Sequence, residues 1–161
     1  MTKGYVREAT ASDATLVALK MRPEDKSEVK AASGRGAYSS LMEAIDHPGA
    51  NTRTVCLGDG TPCAMFGILP SGMPGIGLVW MLATTDFIKL KSQFVRETPK
   101  HIDDLAKGYD TIFNFTDARN LMHHKWIKYA GFTIIKEHQN FGVEKRPFLE
   151  FVKIVKGESY V

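Results

Sequence analysis

Residues 111–137, TIFNFTDARNLMHHKWIKYAGFTIIKE, constrain the fold more than any other stretch because their hydrophobic period switches twice. Residues 111–115 are a β-branched and aromatic run that suits a largely buried strand. Thr116, Asp117 and Asn120 then offer side-chain oxygens where a helix begins. Leu121, Met122, Trp126, Ile127 and Ala130 continue at three- and four-residue spacing, the stripe of an amphipathic helix. Gly131 supplies the left-handed residue that ends it, and Phe132, Ile134 and Ile135 open the next strand. A strand–helix–strand unit of this kind needs a sheet to receive both strands.

The rest of the chain supplies that sheet. Residues 5–8 read as a first strand, and Ser12 or Asp13 caps a helix through Leu16, Val17, Leu19, Lys20 and Met21. Pro23 interrupts it, and residues 24–32 form a second helical piece that Ser33-Gly34-Arg35-Gly36 breaks. Ser39 or Ser40 starts a third helix that runs to His47-Pro48-Gly49. Residues 53–57 and 62–69 make a hairpin over Gly58-Asp59-Gly60-Thr61, and 77–84 make the next strand. After Thr85 the pattern is helical through Phe87, Leu90, Phe94 and Val95, and Thr98-Pro99 restarts a helix that reaches Gly108. Residues 148–155 alternate as a last strand. The expected class is α/β (α+β), a mixed and mostly antiparallel central sheet flanked by helices. Residues 111–115 should lie parallel to 77–84, because the helical segment 86–107 crosses between them.

With 161 residues and 43% hydrophobic content, residues 1–161 are expected to form a single domain around one core. The formal charge of +3, from 21 basic and 18 acidic side chains, is too small and too dispersed to signal nucleic acid. No apolar run approaches the ~20 residues of a membrane span and MTKGYVREAT lacks a secretion core, so a cytoplasmic protein is expected. Cys56 and Cys63 flank the hairpin turn. They read as two reduced thiols, with a cross-strand disulfide as the alternative, and no His pair completes a metal site.

A strand, an Asn at a helix start and Gly-Phe at its exit resemble the closing βαβ of the GNAT acyltransferase superfamily. In that family the helix also carries a Tyr four residues before the Gly. Asn120, Gly131 and Phe132 match, and the Tyr position is Ile127. A narrower resemblance is to the GNAT-like proteins of tailed phages, including the internal virion protein of short-tailed phages. It rests on Trp80, Leu82 and Thr84 as W-x-L-x-T, and on Asp117-Ala118-Arg119-Asn120 followed by Trp126, Gly131 and Phe132.

The resemblance implies acyl transfer from acetyl-CoA or another acyl-CoA to an unknown amine acceptor, with no metal. It places the pantetheine arm on Asn120 and on backbone of Leu82, Ala83, Thr84 and Thr85. With Ile127 unable to donate a proton, His124, about one turn earlier, is the expected catalytic acid or base. Tyr129 lies about 200° round the helix and should point elsewhere. The family's Gly-rich phosphate loop falls on residues 84–91, TTDFIKLK, which contain no Gly and place Asp86 where a phosphate would sit. Thr85, Lys89 and Lys91 are then either an alternative contact or an ordinary capped helix with solvated lysines. Arg22, Glu24, Asp25, Glu28 and Arg35 surround the family's acceptor groove, where a solvated charged face is expected. Trp80 and Trp126 read as packing anchors. The phage resemblance implies the second class of function, a catalytically inactive GNAT-fold component that partners virion proteins.

Overall fold

A computed structural model describes residues 3–155; the ends of the expected 1–161 domain lie outside the described residues. The elements run β1 (Tyr5–Glu8), α1 (Ala11–Leu19), α2 (Pro23–Ser33), α3 (Ala37–Asp46), β2 (Asn51–Cys56), β3 (Pro62–Pro70), β4 (Ile76–Ala83), a 3₁₀ segment (Thr85–Leu90), α4 (Lys91–Leu105), β5 (Thr111–Asp117), α5 (Leu121–Tyr129), β6 (Thr133–Phe141) and β7 (Arg146–Ile154). The strands form one seven-stranded sheet in the order β1-β2-β3-β4-β5-β7-β6. β4 and β5 are parallel, as the crossover requires, and the other neighbouring pairs are antiparallel.

The β3 and β4 side chains alternate between two packed layers. Met65 and Leu82 join Ala14, Val17, Met21 and Leu41 beneath α1 and α3. Phe66 and Met81 join Phe87, Phe94, Ile102, Trp126 and Ile127 beneath α4 and α5. The apolar stripe expected over α5 is therefore its core face.

Three local expectations are corrected. Neither Ser12 nor Asp13 is the N-cap of α1, which is Thr10: Asp13 takes the third helical position, where it completes a capping box by accepting from the Thr10 N–H at 2.8 Å, and is bonded by Arg7 and Thr54. Neither Ser39 nor Ser40 starts α3, which begins at Ala37 after an extended Gly36. Nor does Thr98-Pro99 restart a helix. α4 is continuous through Pro99, and the Thr98 hydroxyl donates to the Phe94 carbonyl at 2.6 Å while accepting from the Trp126 indole at 3.2 Å. Tertiary packing against Trp126 overrides the local stop signal.

Cys56 and Cys63 are both free and buried. A register shift at Val55/Cys56 sets Cys56 opposite Pro62, and burial pushes the Cys63 thiol up to about 12.

Candidate functional site

The parallel β4–β5 ladder is short. It joins Ile76–Leu78 to residues 111–113 and stops. At the next step Asn114 turns its side chain across the gap and donates from Nδ2 to the Val79 carbonyl at 2.8 Å. Beyond that bridge the strands diverge, and a cavity of about 280 Å³ opens between them, walled chiefly by Trp80, Met81, Phe115, Ile127, Phe141 and Phe148. Trp80 Nε1 is buried in this wall without a hydrogen-bond partner among the described residues. That donor is enclosed by the wall, and the cavity surface itself is apolar except where Glu28, Asn114, Thr116 and His123 reach it.

The polar end of the cleft is closed by α2. Pro23 at its first turn fixes where the helix begins, and the i,i+3 spacing sets Arg22, Asp25 and Glu28 on one face. Asp25 is fully buried. Its Oδ2 accepts from the Ala83 N–H at 2.7 Å, and its Oδ1 accepts from Arg22 at 2.8 Å and from Asn120 Nδ2 at 2.9 Å. Glu28 Oε1 accepts from the Thr116 hydroxyl and the Asp117 N–H, both at 2.8 Å. α2 thus bonds the ends of both diverging strands.

His123 completes the cluster. It is buried, with Nδ1 at 3.3 Å from Glu28 and Nε2 at 3.4 Å from Asp25, near enough to pair in charge although Nε2 lacks hydrogen-bond geometry. Burial alone would lower the imidazole pKa, but the Glu28 and Asp25 carboxylates outweigh it and hold His123 above its ordinary value. Burial alone would raise Glu28; the His123 charge and the N–H and O–H donors hold it below. Arg22 and His123 thus face Asp25 and Glu28 inside the protein.

The expected site residues separate on this frame. Leu82 lines the cavity, whereas Ala83, Thr84, Thr85 and Asn120 do not. Most of their polar groups are committed elsewhere: Ala83 N–H to Asp25, Thr84 N–H to the Cys63 carbonyl at 2.9 Å, Thr85 N–H to the Lys20 carbonyl at 3.2 Å, and Asn120 Nδ2 to Asp25, while Asn120 Oδ1 is buried without a partner among the described residues. His124 lies off the cavity with Nε2 at 3.1 Å from the Asp117 carbonyl, and it is His123, with Ile127 one turn on, that faces the cleft. Tyr129 is half-exposed and outside it. Asp86 pairs with Lys89 at 3.3 Å on a 3₁₀ segment. Trp126 and Trp80 each pack in a core layer, as expected, and both also line the cavity. The charges around α2 are not a uniformly solvated face, since Asp25 and Glu28 enter the cleft. The signal for this was Arg22, Asp25 and Glu28 on one helix face, with Asn120 and His123 at matching i,i+3 spacing on another. Among the described residues no cluster of metal-ligating side chains occurs.

No family model and no curated protein matches the sequence. Solved structures match closely in shape. An acetyltransferase of the GNAT family from Streptococcus pneumoniae superposes with a TM-score of 0.62 at 15% identity, over 96% of this chain and 100% of that one. The ribosomal-protein-S5-alanine acetyltransferase from Vibrio fischeri gives 0.69 at 16% identity, over 100% and 97%. A Bacillus subtilis acetyltransferase in complex with CoA gives 0.64 at 15%, over 96% and 99%. At such identities the likeness speaks for the backbone and leaves the chemistry to the residues. Seven strands in this order, splayed between β4 and β5 and flanked by helices, give this chain the GNAT fold.

Proposed function

We propose that this chain transfers an acyl group from a thioester donor of the acyl-CoA kind to an amine. The observation that carries the reading is the cavity between β4 and β5, with His123 and Glu28 at its polar end. In the transfer the amine nitrogen bonds to the carbonyl carbon, the carbon–sulfur bond breaks, the nitrogen loses a proton and the sulfur gains one. His123, whose pKa Glu28 and Asp25 hold above its ordinary value, is the group on the cleft wall able to return a proton to sulfur, the part first expected of His124. The fit to acyl-CoA is divided. The apolar cleft suits the thioester end, but the amides from Ala83 to Thr85 that would meet the polar end are already bonded.

A second reading follows from that closure. Asp25 and Glu28 occupy the N–H groups of Ala83 and Asp117, which an extended ligand would otherwise use, and this favours a GNAT-fold protein without transfer chemistry, for which the narrower resemblance in sequence suggests a component of a phage particle. Its partners would be virion proteins, and its place the host cytoplasm or the virion. No helix among the described residues is long and apolar enough to cross a membrane.

One assay separates the two. Thiol release from acetyl thioesters is followed over a panel of small amines and peptide amino termini. Amine-dependent release is the outcome expected of a transferase, and none with any donor leaves the assembly role.

A further inference from the structure

Building on the acyl-transfer reading, we infer that the cleft takes a short, uncharged thioester arm and rejects a donor that carries a pyrophosphate. Every backbone N–H from Ala83 to Phe87 is spoken for. Ala83 donates to Asp25, Thr84 to the Cys63 carbonyl, Thr85 to the Lys20 carbonyl, Asp86 to the Thr84 hydroxyl and Phe87 to the Thr84 carbonyl. A phosphate cradle needs free N–H groups converging on one point, and this turn has spent its own on protein acceptors.

Several charged side chains of these elements are already paired. Arg22 pairs with Asp25 at 2.8 Å, Arg119 with Asp117 at 2.6 Å, Lys89 with Asp86 at 3.3 Å, and His123 with Glu28 at 3.3 Å. A pyrophosphate would have to compete with these carboxylates for their cations.

α2 is also fixed rather than loosely laid across the opening. The β6–β7 turn donates from Val143 N–H to the Ala32 carbonyl at 3.4 Å and from Glu144 N–H to the Ala31 carbonyl at 3.2 Å. The helix is therefore held at its first turn by Asp25 and at its last by the hairpin.

What remains is a space of about 280 Å³, near the lower end for ligand pockets, walled largely by apolar side chains with Glu28, His123, Asn114 and Thr116 at its polar end. Its complement is a compact neutral molecule such as an acetyl thioester on an N-acylated cysteamine.

Calorimetric titration of the full chain tests this with S-acetyl-N-acetylcysteamine and acetyl-CoA side by side. The short thioester is expected to bind at least about tenfold more tightly than acetyl-CoA. Equal or tighter binding of acetyl-CoA, or no binding of the short thioester, overturns the inference. The transfer reading fails separately: binding of the short thioester without amine-dependent thiol release removes transfer and leaves the inference standing, whereas turnover of acetyl-CoA at comparable affinity does the reverse.

Discussion

Asn120 and Asp25, far apart in sequence, meet inside the protein with the amide Nδ2 2.9 Å from the carboxylate Oδ1. The contact passes between β4 and β5 and ties α5 to α2, on opposite faces of the sheet. It exists because the two strands diverge after Leu78 and Phe113, leaving a gap wide enough for side chains. The same gap that forms the candidate cleft is thus partly used to hold the fold together.

Asp25→Ala should therefore be among the most destabilising single changes. It frees the Ala83 N–H, leaves His123 with Glu28 alone and leaves Arg22 with only its 3.7 Å contact to the exposed Glu24, at a cost of about 3–5 kcal/mol. Urea unfolding measures the loss, and a change under about 1 kcal/mol would show that water replaces the carboxylate.

Gly142 carries a second such constraint. Its φ is +73°, and a Cβ built there would lie 2.3 Å from the Ala31 carbonyl oxygen. Gly142→Ala should lower Tm by several degrees, from about 2 kcal/mol of backbone strain and displacement of the hairpin from α2. A thermal melt unchanged from wild type would mean that the hairpin does not hold the helix.

The closure should be pH-dependent on both sides. Because folding holds His123 above its ordinary 6.5, its contribution is complete below about 6.5 and is lost as pH rises through the raised value. Because folding holds Glu28 below its ordinary 4.5, its contribution is complete above about 4.5 and is lost as pH falls through the lowered value. Protection of the Ala83 and Asp117 amides against hydrogen exchange, corrected for the intrinsic rate, should peak between these limits. His123→Gln should abolish the alkaline loss and keep the acid one.

On the helix that follows β5, the two neighbouring histidines should behave differently. His123→Ala empties a buried paired position and should cost about 2–4 kcal/mol, together with any thiol-releasing activity. His124→Ala removes one contact to the Asp117 carbonyl and should cost about 1 kcal/mol or less with activity retained. Tyr129→Phe, at a half-exposed position, is the control expected to change nothing. Activity lost with His124→Ala and kept with His123→Ala would reverse the assignment.

Pro99 offers a test of opposite sign. It sits inside the continuous α4, where it has no N–H for the Val95 carbonyl. Pro99→Ala restores that donor and should stabilise by about 1 kcal/mol, after subtracting what proline contributes by restricting the unfolded chain. A lower Tm would show that the ring itself packs against the sheet.

The sequence by itself determined the element order, the meander of β2 to β4, the parallel return of β5 and the core face of α5. Each of these follows from period, turn residues and crossover length, which are local properties of the chain. Residues 5–8 and 111–115 read as strands for this reason, and Trp126, Ile127 and Ala130 fall in the core as their spacing requires. Tertiary structure decided what local rules cannot weigh. Pro99 continues a helix because Thr98 is held by Trp126, and Asp13 becomes an internal partner of Arg7 because β1 lies beside α1. The candidate site was legible only in part. Leu82 was placed by the GNAT resemblance, but whether Ala83, Thr84, Thr85 and Asn120 are free depends on acceptors distant in the chain. Charged residues on a short helix ordinarily face water, and the shared face of Arg22, Asp25 and Glu28 does not by itself say that it is buried. Their burial is stabilised by N–H groups of Ala83 and Asp117 and by the His123 charge, which the fold alone brings to them.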